Sequence, residues 1–268
     1  MRLIQDFYAR IFCRKGLYKI NRYLYFLSLR GMGILNYQND RVSGERFFIA
    51  HLKKEVAEHD IIVFDVGANV GDYSLAVLKK YPEALIYAFE PHPMTFKVLN
   101  CSAARHGFKA FNCGLGDKGE KLRLYDYHSY TELGSQHASV YKEVIEEFHK
   151  SKAQQFDVDI ITLDDFIRDN NINKIDLLKI DTEGNELNVL KGALVSLRNN
   201  IIDIIHFEFN GLNVISRIYM KDFFEILPNY SFYRMLSDGL IPMEYDHLTC
   251  EIFAFQNIVA IRNTSRIS

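Results

Sequence analysis

Short apolar runs alternate with stretches of amphipathic helical periodicity from residue 60 onward. The pattern predicts strands at 61–65, 84–90, 109–113, 175–181, 201–209, 231–235 and 257–262. It predicts helices at 71–80, 94–106, 186–197 and 216–227. Several strands are apolar throughout, which is typical of a sheet covered on both faces. Alternating strands and helices therefore predict an α/β fold with a doubly wound, mostly parallel sheet. Because no clear helix separates the last two strands, we expect an antiparallel hairpin at one edge.

The segment from about 115 to 157 does not follow this alternation. Residues 121–125 alternate apolar and polar side chains, which predicts a half-exposed strand. Residues 128–139 are rich in Ser, Thr, Gly and His, which indicates a loop, and long loops in compact α/β domains are usually functional. We therefore predict a main domain at 43–268 with an insertion at about 115–157, preceded by a helical extension at 1–42.

The first 30 residues are strongly basic. One acid, Asp6, stands against Arg2, Arg10, Arg14, Lys15, Lys19, Arg22 and Arg30. The favoured interpretation is a helix that caps the main domain and packs on it through Phe7, Ile11, Leu17, Leu24 and Leu27. The alternative is a basic amphipathic helix that contacts anionic lipid or an acidic glycan, with peripheral membrane association. The apolar runs are too short for a membrane-spanning helix or a signal peptide.

The amino-acid composition and net charge exclude several classes of protein. Of 268 residues, 48% are hydrophobic and 25% charged, which suffices for a full core and excludes wholesale disorder. The formal net charge of −2 argues against a general nucleic-acid binder. The four cysteines form no CxxC pair, so neither a disulfide framework nor structural zinc is indicated, and a reducing cytoplasm is the expected location.

The first predicted strand runs through a glycine-containing turn, Asp65-Val-Gly-Ala-Asn-Val-Gly71, directly into a helix. Ligands of such sheets bind at the carboxyl ends of the strands, where the strand order reverses. Gly67 permits a sharp bend close to a ligand, and the N–H groups at the helix start favour an anionic group such as a carboxylate. Asn69 takes the place of the second glycine of the dinucleotide fingerprint, where a side chain would crowd a pyrophosphate.

Glu90 ends the second predicted strand, about 20 residues beyond Gly71, where a carboxylate can accept both ribose hydroxyl protons. Pro91 restricts Glu90 to extended conformations. The turn and this carboxylate together favour a nucleotide-type cofactor site over a purely structural turn.

Four motifs follow one another along the chain. They are Asp65 to Gly71, Phe89-Glu-Pro-His-Pro93 with Asn100, Thr162-Leu-Asp164, and Leu178-Lys-Ile-Asp-Thr-Glu-Gly-Asn-Glu186. Together they resemble the FkbM-type family of S-adenosylmethionine-dependent methyltransferases over about residues 43–262. The resemblance implies a class I methyltransferase (Rossmann-like) fold, usually with seven strands of which the last pair is antiparallel. It also implies O-methylation of a hydroxyl, often on a sugar of a glycan or on a secondary metabolite.

The resemblance implies S-adenosyl-L-methionine as the cofactor, with Asp65, Gly67, Asn69 and Gly71 around its methionine part and Glu90 on its ribose. Asp65 could instead bond the N–H groups of its own turn. Asp117, after the third strand, could accept from the adenine amino group or serve only as a turn residue. Glu45 could close the pocket from the N-terminal side or only cap a helix at 46–57.

The reaction centre is expected at the ends of the strands predicted at 175–181 and 201–209. Asp181 and Glu208 point at the mouth beside the cofactor, and together with His206 they are the candidate bases for the acceptor hydroxyl. His206 lies one pleat deeper, where a neutral core histidine is at least as expected. Lys179, Asp181 and Glu183 could instead form only an ion-pair network.

Alternatives remain for the metal and the acceptor. Asp181, Glu208 and Asn210 offer three oxygen donors that would suit Mg²⁺, although the metal-free route is favoured. The acceptor is placed on the insertion, at Tyr127, His128, Tyr130 and His137, although a loop with incidental aromatic residues explains these equally well. His92 is expected to have a local structural role.

Two other functions compete with methyl transfer. An NAD-linked oxidoreductase is the enzymatic rival, and Asn69 in place of the second glycine counts against it. A noncatalytic glycan or membrane adaptor of the same fold is the other, and the presence of Glu90, Asp181 and Glu208 disfavours it.

Overall fold

The computed structural model describes residues 2–52, 60–127, 138–143, 145–146, 150 and 152–263. Its strands are β1 (Ile62–Val66), β2 (Leu85–Phe89), β3 (Lys109–Phe111), β4 (Gly114–Leu115), β5 (Glu120–Tyr127), β6 (Ala153–Ile161), β7 (Ile175–Ile180), β8 (Ile202–Phe209), β9 (Tyr230–Leu236), β10 (Gly239–Met243) and β11 (Gln256–Arg262). Its helices are α1 (Arg2–Phe12), α2 (Tyr18–Gly31), α3 (Asp40–Ser43), α4 (Glu45–His51), α5 (Asp72–Lys80), α6 (Pro93–His106), α7 (Leu163–Asp169), α8 (Glu186–Lys191), α9 (Leu194–Arg198), α10 (Leu212–Ser216), α11 (Met220–Ile226) and α12 (His247–Cys250).

The main sheet has the strand order β10-β9-β11-β8-β7-β1-β2-β3. Strands β1, β2, β3, β7 and β8 are parallel, whereas β11 is antiparallel to both β8 and β9. The chain moves outward from β1 to β3 and then returns to β7 on the other side of β1, so the strand order reverses between β1 and β7. This confirms the doubly wound, mostly parallel sheet with an antiparallel edge.

The sheet has eight strands instead of the seven expected. The additional strand, β10, forms the edge hairpin with β9, and β11 lies between β8 and β9. Pro242 lies within β10, and proline is tolerated in an edge strand because its missing N–H faces solvent. That proline and the absence of a regular apolar alternation explain why the sequence pattern did not predict β10.

Helices cover both faces of the main sheet. Phe48 of α4, Val77 of α5 and Leu99 of α6 pack on one face. Phe166 of α7 and Phe223 of α11 pack on the other. The apolar composition of the central strands follows from this double burial.

Two predicted helices differ from the structure, one by a break and the other by a later start. The helix predicted at 186–197 is α8 followed by α9, because the carboxylate of Asp164 accepts hydrogen bonds from the N–H groups of Val195 and Ser196, both at 2.9 Å, and begins a new helix there. The helix predicted at 216–227 is α11, which begins four residues later than expected because Arg217, in the left-handed region (φ 57°), separates it from the short α10 before it.

The insertion contains a second, smaller sheet with the order β4-β6-β5. The strand predicted at 121–125 is confirmed as part of β5, which pairs antiparallel with β6. The pattern did not predict β6, because the side chains of residues 153–157 are mostly polar and exposed.

The N-terminal helices α1 and α2 do not cap the main domain, so that expectation is wrong. Of the five residues expected to pack, Phe7, Ile11, Leu24 and Leu27 are exposed and Leu17 is half-buried, and Leu29 is the first buried residue in the described part of this segment. Helical periodicity shows which side chains share a face, but it does not show whether another part of the chain lies against that face. In the described part of the chain, no helix is long and apolar enough to cross a membrane.

Gly44, between α3 and α4, packs closely against β9 of the main sheet. It has a φ of 92°, and a Cβ atom built on it would overlap the carbonyl oxygen of Leu236 in β9. A side chain at this position would therefore push α4 away from the β9–β10 hairpin.

Candidate functional site

A cleft of about 980 Å³ opens at the carboxyl ends of β1, β2, β7 and β8. It lies where the strand order reverses, the usual position of ligands in doubly wound sheets. Its polar lining includes Glu45, Asp65, Asn69, Glu90, Asp181 and Glu208. The sheet therefore brings together most of the side chains predicted for the cofactor and the reaction.

The turn between β1 and α5 lies directly against the neighbouring strands. The N–H groups of Gly67 and Ala68 donate to the carbonyl of Phe89 at 3.0 and 2.9 Å. Gly67 has a φ of 78°, and a Cβ on it would overlap the carbonyl oxygen of Asp181. Only a residue without a side chain fits between the end of β7 and the cleft. Gly71, also at positive φ, begins α5.

Glu90 is fixed beside this turn. Its Oε2 accepts from the N–H of Asn69 at 3.0 Å, and its Oε1 accepts from the N–H of His92 at 2.7 Å. Burial raises the pKa of Glu90 to about 7, against the opposing effect of these two hydrogen bonds. Because each carboxylate oxygen has two acceptor positions, both oxygens can still accept a hydrogen bond from a ligand in the cleft.

His92 has the expected structural role. Its Nδ1 accepts from the N–H groups of Met94 and Thr95 at the start of α6, and its Nε2 lies 3.5 Å from the carboxylate of Asp126.

Asp65, Lys179 and His206 occupy one row across three neighbouring strands. Asp65 pairs with Lys179, and Lys179 pairs with His206, so their side chains project from the same face of the sheet. The carboxylate of Asp65 accepts from the hydroxyl of Ser74 in α5 at 2.6 Å. Asp65 therefore holds the turn to its helix through a side chain, and it also lines the cleft.

Lys179 is the centre of a cluster of carboxylates. Its Nζ lies 2.9 Å from Oδ2 of Asp181 and 5.4 Å from the ring centre of Tyr73. Burial favours the neutral amine, but Asp181, Glu208, Glu45 and Asp65 outweigh this effect and raise the pKa of Lys179. The lysine stays charged, and the predicted ion pair with Asp181 is present.

Glu208 lies beside Asp181 at the strand ends. Ile180 pairs with Phe207, so the residues that follow them lie side by side at the mouth of the cleft. Burial, followed by the negative charge of Asp181, raises the pKa of Glu208 well above its usual value, although Lys179 opposes the shift. A carboxylate with a raised pKa is a stronger base than an ordinary glutamate, as proton removal from a hydroxyl requires.

His206 lies in the core, which argues against its candidacy as the base. It is fully buried, with its Nδ1 3.2 Å from the hydroxyl of Tyr73 and its Nε2 3.1 Å from Oδ1 of Asn257. Burial, together with the charge of Lys179, lowers its pKa to about 3. The deeper position of this residue on β8 thus makes it a neutral, hydrogen-bonded core histidine.

The remaining candidates differ in position. Glu45 begins α4, lines the cleft and accepts from the hydroxyl of Ser43 at 3.2 Å, so it both faces the pocket and starts a helix. Asp117 lines a smaller neighbouring pocket of about 480 Å³ instead of the cleft. The side-chain oxygen of Asn210 accepts from the N–H of Leu212 at 2.8 Å, so one of the three donors proposed for Mg²⁺ is already engaged.

The proposed acceptor residues cannot be placed. His128, Tyr130 and His137 lie outside the described residues, and the same holds for the side chain of Tyr127. The described part of the insertion does reach the cleft, because Ala138 and Val140 line it and the Ser139 hydroxyl donates to the carbonyl of Glu183 at 2.9 Å.

Sequence reasoning missed four aromatic residues of the cleft, Tyr37, Tyr73, Phe253 and Phe255. Tyr73 contacts both Lys179 and His206, while the rings of Tyr37 and Phe255 in the cleft lining meet edge to face, with their centres 6.0 Å apart. The placement of Tyr73 in the first turn of α5 was a usable signal, since helix starts face the carboxyl ends of the strands. Tyr37 belongs to the segment assigned to the N-terminal extension, which carried no motif.

The family described as "Methyltransferase FkbM domain" matches residues 65–232 of the sequence, which include the end of β1 and all of β2, β7 and β8, the strands that form the cleft. The chain belongs to the FkbM methyltransferase family. The predicted family is thereby confirmed, and its four motifs lie around the cleft and on the helices behind it.

Curated relatives agree with this assignment. The FkbM-family chain is 35% identical over 154 residues to methyltransferase sdnD of Sordaria araneosa, covering 49% of this chain and 60% of that protein. It is 31% identical over 153 residues to the 31-O-demethyl-FK506 methyltransferase FkbM of Streptomyces tacrolimicus, covering 49% and 59%. It is 27% identical over 168 residues to the hexuronic acid methyltransferase AglP of Haloferax volcanii, covering 58% and 61%. The chain thus spans about three fifths of the length of these relatives.

The FkbM-family motif at 178–186 begins in β7 and continues as a loop to Glu186, the first residue of α8, which closes the loop. One carboxylate oxygen of this residue accepts from the N–H and hydroxyl of Thr182 and the N–H of Gly184 at 3.0–3.1 Å. Its Oε2 is buried and has no hydrogen-bond partner among the described residues. Burial raises the pKa of Glu186 to about 7.

We expect Glu186→Gln to alter the pH dependence of stability. The amide oxygen can accept the same three hydrogen bonds, but the variant has no carboxyl to ionise. A carboxyl whose pKa is raised from 4.5 to about 7 in the folded protein stabilises the fold fully below pH 4.5 and loses that contribution as the pH rises through 7. Between pH 4.5 and pH 7, the free energy of unfolding of the variant should therefore rise by roughly 3 kcal/mol relative to that of the wild type. Urea denaturation at both ends of the interval measures the difference, and parallel curves would contradict the prediction.

Proposed function

We propose that this protein is an S-adenosylmethionine-dependent O-methyltransferase that methylates a hydroxyl on a sugar or on a secondary metabolite. The observation that carries the proposal is Glu90, fixed by two backbone N–H groups beside a glycine turn at the reversal of strand order. Membership of the FkbM family supports the reaction class. The activity of the whole protein is a proposal because its relatives are longer than the matched part of the chain.

The residues present fit the cofactor. Gly67 leaves room at the closest approach of the turn to β7, and the cleft carries several carboxylates around one buried lysine, which suits a ligand with a sulfonium and an ammonium group. Glu90 would hold the ribose hydroxyls, and Asp65, Asn69 and Asp181 would surround the amino-acid part. When bound, S-adenosylmethionine supplies a methyl group activated by its positively charged sulfur.

The chain itself aligns the acceptor, excludes water and removes a proton. Glu208 accepts the proton of the acceptor hydroxyl as the oxygen forms its new bond, and Lys179 with Asp181 keeps the neighbouring charges in place. Alignment of reactants contributes roughly 7–11 kcal/mol. A general base contributes about 10²–10⁴-fold, or about 3–5 kcal/mol. Positioning is therefore the larger part of catalysis.

The names of two relatives and the aromatic lining of the cleft support a sugar or a secondary metabolite as the acceptor. One relative is named for a demethylated FK506 and another for hexuronic acid, both of which carry hydroxyl groups. The aromatic pair Tyr37 and Phe255 at the cleft provides apolar faces on which the ring of a sugar or of a secondary metabolite can pack.

The test is calorimetric binding of S-adenosylhomocysteine. We expect the wild type to bind it and Glu90→Gln to raise Kd about 10–100-fold, because a charged hydrogen-bond acceptor is lost. Glu225→Ala, an exposed carboxylate on α11, is the matched control and should leave Kd unchanged. Failure of the wild type to bind S-adenosylhomocysteine would overturn the proposal, and binding of NAD(H) in its place would support the oxidoreductase.

A further inference from the structure

The helices α1 and α2 expose an unusual number of large apolar side chains. In α1 these are Leu3, Ile4, Phe7, Tyr8, Ile11 and Phe12. In α2 they are Tyr18, Ile20, Tyr23, Leu24, Tyr25, Phe26 and Leu27. Soluble proteins rarely leave contiguous apolar surface of this extent uncovered unless it binds something.

The apolar residues of α1 share one face. Leu3, Ile4, Phe7 and Ile11 recur at the spacing of successive helical turns, and their exposed fractions are 85, 73, 65 and 43%. This helix therefore has an apolar stripe along its length that no described part of the chain covers.

The charge of the same segment is opposite to that of the rest of the protein. Asp6 is the one acid among residues 2–31, which also contain seven arginines and lysines, whereas the whole chain carries a net charge of −2. Arg10, Arg14, Lys15, Lys19 and Arg22 are all exposed. Basic side chains beside an apolar stripe are the combination that binds anionic lipid surfaces.

The two helices are joined to each other by specific contacts. The Tyr8 hydroxyl donates to Oδ1 of Asn21 at 2.8 Å, and Nδ2 of Asn21 donates to the carbonyl of Phe12 at 2.9 Å. Within α1, the rings of Tyr8 and Phe12 stack at 4.5 Å beside this contact. The helices thus form one small hairpin, which meets the main domain near Leu29.

We propose that the α1–α2 hairpin binds the surface of an anionic lipid bilayer. The apolar stripe of α1 enters the boundary between headgroups and acyl chains, and the arginines and lysines contact lipid phosphates. Apolar burial and attraction to anionic lipid both contribute to such binding, so it depends on lipid composition and on salt. The cleft and its chemistry have no part in this proposal.

Flotation of the full chain with lipid vesicles tests the proposal. We expect binding to vesicles of phosphatidylcholine with phosphatidylglycerol to exceed binding to phosphatidylcholine alone by at least about tenfold, and to fall in high salt. The triple variant Leu3→Ser, Phe7→Ser, Ile11→Ser and the triple variant Arg10→Glu, Arg14→Glu, Lys19→Glu should each reduce binding by about tenfold or more. Leu248→Ser and Lys80→Glu, at exposed positions of the main domain, should bind like the wild type.

Several outcomes would overturn the proposal. One is no vesicle binding by the wild type, and another is equal binding by the wild type and both triple variants. Light scattering that shows a dimer for the wild type, a monomer for the serine variant and no vesicle binding would assign the surface to a second copy of this chain. Because S-adenosylhomocysteine binding by the triple variants should remain unchanged, failure here is distinguishable from failure of the methyltransferase proposal.

Discussion

Glu208→Gln should lower the rate of methyl transfer about 10²–10⁴-fold while leaving the affinity for S-adenosylhomocysteine nearly unchanged. The amide cannot accept the hydroxyl proton, but it keeps the shape of a side chain at the mouth of the cleft. Burial and the charge of Asp181 raise the pKa of Glu208. The wild-type rate should therefore increase with pH, and this increase should occur at a higher pH than the ionisation of an ordinary glutamate. This increase should disappear in the variant.

The measurement uses tritiated S-adenosylmethionine and whichever alcohol of a panel of hexuronates and macrolides the wild type methylates. Glu244→Gln, at an exposed position on the same domain, is the matched control and should retain the full rate and its pH dependence. An unchanged rate in Glu208→Gln would remove this residue from the reaction and leave Asp181 as the candidate base.

Gly67→Ala should destabilise the fold by about 3 kcal/mol or more and abolish cofactor binding. Its Cβ would overlap the carbonyl oxygen of Asp181, so the turn must move away from β7 and would no longer hold the N–H of Asn69 at Glu90. Thermal unfolding and calorimetry with S-adenosylhomocysteine measure the two effects.

Gly107→Ala separates backbone strain from steric overlap. Gly107 also has positive φ, at 83°, but open space surrounds the position of its Cβ. This variant should therefore cost only about 1–2 kcal/mol, the penalty of the left-handed conformation alone, and should bind S-adenosylhomocysteine normally. Equal losses of stability in the two variants would show that the close approach to Asp181 is unimportant.

The strands that form the cleft could be predicted from the sequence because burial on both faces requires a continuous run of apolar residues. β1, β2, β7 and β8 are buried on both faces, so they are apolar runs, and the polar residues at their ends mark the site directly. Gly67, Glu90, Asp181 and Glu208 were located in this way, and their meeting at one edge follows from parallel strand order.

Other features depend on contacts that sequence spacing does not specify. The spacing places His206 on the same face as Glu208, but only the packing of Tyr73 and Asn257 shows that it is enclosed. The strands β6 and β10 lack the apolar pattern because one is polar in its first half and the other is an edge. Asp117 follows β4, a strand of the smaller sheet that the sequence did not predict, and it lines the neighbouring pocket instead of the cleft.

The contact between Gly44 and the β9–β10 hairpin means that the edge of the main sheet helps to position Glu45, one of the carboxylates of the cleft. Glu45 follows Gly44 immediately, so its place in the lining is set by Leu236, a residue distant from it in sequence. Lengthening or shortening the turn between β9 and β10 would consequently displace Glu45 from the cleft lining, although the strands that form the cleft would be unchanged.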